Sequence, residues 1–139
     1  MLKTIIILTL MFRVTNGQSI KLAESQLKTL LIRYFSEKNM PNLIGSRLFK
    51  SKEGLRVQLD IEHVNDDLNN TIYLCFKSLN KLSKVSEKPF SELFVIIHFK
   101  NDDIPLVISA SNHCLDKFFD STLFDKSDWK NNCLNIGNL

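Results

Sequence analysis

Glycine is scarce in this chain, four in 139 residues, and no two of them are near each other. A loop that cradles phosphate needs clustered glycines so that backbone N–H groups can converge on the anion, so nucleotide loops of that kind are excluded. Cysteine and histidine are equally thin, three of each, with no C-x-x-C or H-x-x-x-H pair among them. Zinc sites announce themselves by such spacings, and no metal or other cofactor is expected. An excess of one charge is missing too. The formal net charge of +3 includes Lys3 and Arg13, and removing both from the 18 basic residues leaves 16 against 15 acidic ones. The rest are scattered among acids from Lys21 to Lys130, whereas nucleic-acid binding draws on clustered cations. Nucleic acid and acidic membrane surfaces are therefore excluded as partners.

Long hydrophobic runs are also absent. The longest, Thr4 to Phe12, has nine residues, against the about 20 that a membrane-spanning helix requires. With Lys3 before it and Thr15-Asn16-Gly17 after it, this run has the layout of a secretory leader, although Arg13 interrupts the approach to the cleavage region. Residues 1–17 are expected to be a cleaved signal peptide; the alternative is a buried N-terminal strand or helix. No cysteine lies near the cleavage region to carry a lipid, so no stable membrane insertion is expected once the leader is gone. The product is expected to be secreted or periplasmic, in a compartment where cysteines pair. Cys75 falls on the apolar stripe of an expected helix and reads as a small buried hydrophobe. Cys114 and Cys133 remain as a candidate disulfide closing a loop of about 20 residues, a contribution of about 3 kcal/mol on the chain-entropy estimate. Nothing in the spacing decides whether they meet.

What the chain does have is a concentrated block of strand formers. Leu93 to Phe99 and Ile104 to Ala110 are rich in β-branched and aromatic residues and flank Lys100-Asn101-Asp102-Asp103, which reads as a hairpin. Leu93, Val95, Ile97 and Phe99 point one way and Phe94, Ile96 and His98 the other, so both faces are mostly apolar, as in a strand at the middle of a sheet. Before the hairpin, Ile20, Ala23, Leu27, Leu30, Leu31, Tyr34 and Phe35 fall on one helical stripe, with Ser19 as a cap and Pro41 as a stop. Ile44 to Ser51 is a weaker strand that turns at Gly54 into Leu55, Val57, Leu59 and Ile61, which alternate with polar residues. A second helix carries Ile72, Cys75, Phe76, Leu79 and Leu82 inward, and Lys77, Lys81, Lys84 and Lys88 form its solvated side. A third, capped by Ser109 or Ser111, turns Leu115, Phe118 and Phe119 inward.

The expected fold is therefore one small α+β domain over residues 18–125, in the order α-β-β-α-β-β-α. It has a four-stranded, mostly antiparallel sheet with helices packed on one face, and residues 126–139 follow as a polar tail that Trp129 docks back. Similar element orders occur in small adaptor and secretion-chaperone-like domains, but fold analogy transfers no function.

The densest polar stretch runs from Asp60 through Glu62 and His63 to Asn65, Asp66 and Asp67. Asp60 and Glu62 share a strand face, so their carboxylates can approach one cation, with Asp66 or Asp67 arriving from the loop. An exposed strand running into helix caps explains the same residues without a ligand. His98 lies on the side of Phe94 and Ile96, and is either a hydrogen-bonded sheet residue or a base. His113 is a poor base for its neighbour Cys114, because adjacent residues on a helix diverge by about 100°. Asn69-Asn70-Thr71 matches the N-glycosylation acceptor pattern, which matters only in a eukaryotic exporter. The functional expectation is a non-catalytic exported domain that binds a protein or small ligand through an exposed sheet face or edge, with Phe94, Ile96 and His98 as the contact residues. The alternative is a small hydrolase or metal-dependent enzyme using His98 with Asp60 and Glu62.

Overall fold

The block from Leu93 to Ala110 doubles back on itself, and the sheet is built outward from it. A computed structural model describes residues 21–63, 67–120 and 126–138; the leader, Ser19 and Asp66 lie outside the described residues. In chain order the elements are α1 (Glu24–Phe35), β1 (Asn42–Ser51), β2 (Gly54–His63), α2 (Leu68–Ser83), β3 (Phe90–Phe99), β4 (Asp102–Ser111), α3 (Asn112–Phe119), α4 (Lys126–Cys133) and β5 (Asn135–Asn138). The fold class is α+β, and the spatial strand order repeats the chain order, β1-β2-β3-β4-β5, with β3 in the centre. Every pairing is antiparallel except β2 with β3. Those two run parallel because α2 carries the chain back over one face before β3 begins.

Two expectations need correction. Among the described residues the sheet has five strands, not four, and the stretch read as a polar tail carries α4 and β5. The cause lies in contacts distant in sequence. Trp129 is fully buried, its ring 5.1 Å from that of Phe119, 6.0 Å from Phe76 and 6.2 Å from Tyr73. That anchor brings Asn135–Asn138 alongside β4, where backbone pairing needs no apolar pattern of its own. Helix α1 also starts later than the apolar stripe suggests. Leu22 is used otherwise: its N–H donates to the Val85 carbonyl (2.7 Å) and its carbonyl accepts from the Glu87 N–H (2.9 Å), strapping the chain to the loop before β3.

The remaining boundaries have local causes. Asp67 caps α2 by accepting from the Asn70 N–H at 3.0 Å, and Ser111 caps α3 by accepting from the Cys114 N–H at 3.1 Å, each satisfying a donor that the first helical turn leaves open. Gly54 turns β1 into β2 with φ +136°, and a Cβ there would collide with the Pro89 carbonyl oxygen, so both conformation and space demand glycine. Alternation then sorts the sheet. Leu55, Val57, Leu59, Ile61, Leu93, Val95, Ile97, Ile108 and Ala110 are buried, and they join Leu27 and Leu31 of α1 with Cys75, Phe76, Leu79 and Leu82 of α2 in one core. Each fully buried leucine or isoleucine in such a core contributes about 2 kcal/mol. Asn80 is buried too; its side-chain amide donates to Asn112 Oδ1 (3.1 Å) and Asp116 Oδ1 (2.8 Å), tying α2 to α3.

Candidate functional site

With the helices on one face, the other face of the sheet carries the residues that alternate with the core. On β2 these are Arg56, Gln58, Asp60 and Glu62; on β3 they are Phe94, Ile96 and His98. The parallel register of β2 with β3 sets Gln58 beside Phe94, Asp60 beside Ile96 and Glu62 beside His98, and the antiparallel register of β3 with β4 sets Val107 beside Ile96 and Ser109 beside Phe94. The result is an apolar strip, Phe94, Ile96 and Val107, bordered by polar and charged groups, and among the described residues no helix packs over it.

One polar contact stands out within this border. His98 Nε2 lies 3.1 Å from Asp60 Oδ1, and the other carboxylate oxygen of Asp60 accepts from Gln58 Nε2 at 3.2 Å. The imidazole is 41% exposed and the carboxylate 21%. With the proton on Nε2 the ring donates to Asp60, and Nδ1 is left as the basic nitrogen. Gly45, opposite Asp60 on β1, leaves room above the carboxylate; a Cβ there would sit 3.5 Å from Oδ2, in ordinary contact.

The other polar residues singled out in the sequence do not converge here. Asp67 is spent on the α2 cap. His63 sits on the helix side, edge-on to Phe99 with ring centroids 5.7 Å apart, and its Nδ1 is buried without a hydrogen-bond partner among the described residues. Among the described residues no three of His, Cys, Asp and Glu stand close enough to hold a metal ion. His113 is exposed at the start of α3. The Sγ atoms of Cys114 and Cys133 are 1.98 Å apart, a bonding distance, with Cα atoms separated by 5.6 Å. Cys75 is free and buried, and that burial pushes its thiol well above its ordinary value, leaving it inert. Asn69 is exposed in the first turn of α2, whereas Thr71 of the same triplet is buried and its hydroxyl donates to the Asp67 carbonyl at 3.1 Å.

The Asn80–Asn112–Asp116 cluster escaped the reading of the sequence, although a signal for it exists. Asn80 follows Phe76 by four residues and so falls on the buried stripe of α2, where a polar side chain requires partners. Lys84 extends the cluster outward at 2.6 Å from both Asp116 Oδ1 and Asp120 Oδ2. Desolvation alone would lower this ammonium, but the hydrogen bonds and charges of the two aspartates outweigh it and hold Lys84 above its ordinary value.

No protein-family model matches the chain, nor does any curated protein or solved structure. The reading of the site therefore rests on its own geometry.

Proposed function

We propose that this chain is an exported, non-catalytic domain that binds a protein or small ligand through the open face of its sheet. The observation that carries the reading is the strip of Phe94, Ile96 and Val107, flanked by Arg56, Gln58, Glu62 and His98 and lacking a described helix over it. An apolar centre inside a polar rim is the composition of a recognition surface. Export draws support from the leader-like N-terminus and from the Cys114–Cys133 pair, a kind of bond that persists in oxidising compartments. Among the described residues no helix is long and apolar enough to cross a membrane.

The test places a photocrosslinking side chain at Phe94, at Ile96 and, as a control, at Lys77 on the solvated side of α2. Each variant is exposed to the medium or periplasm from which the protein is recovered. Adducts are expected at Phe94 and Ile96 and not at Lys77. Equal labelling at all three, or none, refutes the open face as the binding surface. N-terminal sequencing of the recovered protein is expected to begin after Gly17; an intact Met1 defeats export with cleavage.

The 3.1 Å contact between His98 and Asp60 favours a second reading, in which Asp60 orients His98 as a general base. No hydroxyl or thiol partners His98 among the described residues, so water would be the nucleophile. Hydrolysis of ester and phosphoester substrates that His98→Ala abolishes supports this reading; an inert purified protein eliminates it.

A further inference from the structure

We propose that the outer edge of β1 accepts an extended peptide of alternating apolar and acidic residues, which adds to the sheet as a sixth strand. This surface is distinct from the open face, and either reading can fail without the other. β1 ends the sheet, runs for ten residues, and has no strand on its outer side among the described residues. Such an edge offers a row of backbone donors and acceptors to another chain. Exposed apolar side chains gather beside it: Ile32 is 58% exposed, Ile44 53% and Phe49 42%. Between α1 and the first half of β1 lies a groove of about 580 Å³ lined by Lys28, Ile32, Phe35, Leu43 and Ile44 among others. The register shift between Leu43 and Gly45 leaves Ile44 without a partner in β2, at the lip of this groove.

Charge selects the occupant. The charged residues of β1 are Arg47 and Lys50, both exposed, Lys28 stands in the groove, and neither the strand nor the groove lining contains an acid. The contact of Lys50 with Glu24 is long, 3.8 Å, and solvent-exposed, so it neutralises little. Arg47 pairs with Gln58 and Lys50 with Leu55, so the two cations stand on opposite sides of the sheet. A second copy paired antiparallel about Arg47 would set that cation against itself, and like charges across a strand pair are destabilising. An acidic strand meets no such penalty. Its residues point alternately to the two faces. Apolar side chains on the helix side enter the groove against Ile32 and Phe35, and carboxylates on the opposite side stand beside Arg47, which shares that side with Gln58.

The probe is an end-capped, fluorescent eight-residue peptide alternating valine and glutamate. It is compared with its valine–lysine counterpart and with a version methylated at alternate backbone nitrogens, which cannot pair. Fluorescence anisotropy with the mature protein is expected to show binding of the first peptide alone, and amide exchange is expected to slow across Asn42–Ser51. Arg47→Glu with Lys50→Glu is expected to weaken the acidic peptide about tenfold and to favour the lysine peptide. Absence of binding overturns the proposal, as does equal binding of the methylated peptide or slowed exchange confined to β3 or β5. Sedimentation showing a dimer whose β1 amides become protected with concentration would seat a second copy there instead and overturn it equally.

Discussion

At one margin of the sheet β5 contributes four residues, held in place by the buried Trp129 and the Cys114–Cys133 pair; at the other, β1 runs for ten residues with Ile44 and Phe49 exposed along it. The two margins face the same problem, since an unpaired strand invites pairing with another chain. At β4 the chain supplies its own short cover and staples it. At β1 a long edge has no partner strand among the described residues, and Arg47 and the register shift at Leu43/Gly45 oppose pairing with a copy of itself. The margin covered by β5 serves stability, and the charged margin at β1 is the one proposed to select a partner strand.

This contrast can be broken first at the closed margin. Trp129→Ala is expected to lose about 4 kcal/mol, as large aromatics do when deleted from a core. Urea denaturation would measure the loss, and amide exchange should quicken in β4 and β5 while β1 is unchanged. A loss below about 1 kcal/mol would remove Trp129 as the anchor. Replacing Cys114 and Cys133 together by serine is expected to remove about 3 kcal/mol by freeing the loop between them in the unfolded chain. Native protein treated with an alkylating reagent should stay unmodified at Cys75, and reaction there would contradict its burial. Asn80→Ala is expected to cost about 2 kcal/mol, because it strips Asn112 and Asp116 of a buried donor. At the open margin, Arg47→Glu with Lys50→Glu should change stability by less than about 0.5 kcal/mol, because both side chains are exposed. A larger loss would mean that β1 depends on these cations for folding and not for selection.

The smallest effect belongs to pH. A lysine held above its ordinary value stabilises the fold fully below the unfolded-state value of about 10.4 and loses that contribution as pH rises through the higher folded-state value. Wild-type protein should therefore lose slightly more stability than Lys84→Met in the strongly alkaline range, with no difference between them in slope near neutrality. The exposure of Lys84 keeps the effect small.

The contrast between the margins also marks what could be read without coordinates. The central hairpin, the alternation of Leu55 to Ile61 and the buried stripe of α2 all appear where the sequence placed them, because each is a local period imposed by backbone geometry. The cover at β5 was not legible. Asn135-Ile136-Gly137-Asn138 has no period to detect, and although Trp129 is the residue expected to dock this stretch, its partners Tyr73, Phe76 and Phe119 meet only in the tertiary structure. The pair His98 and Asp60 was half legible: their side of the sheet followed from alternation, but their meeting required β2 and β3 to be parallel neighbours in one register.

By itself, the sequence determined which residues turn inward, because side-chain direction along a strand or helix follows from dihedral angles that each residue and its near neighbours prefer. Tertiary structure alone decided which strands became neighbours, which cysteines came within bonding distance and which margin of the sheet has no further strand among the described residues. Those outcomes depend on closing loops between distant segments, where the stabilisation comes from contacts that no local stretch contains.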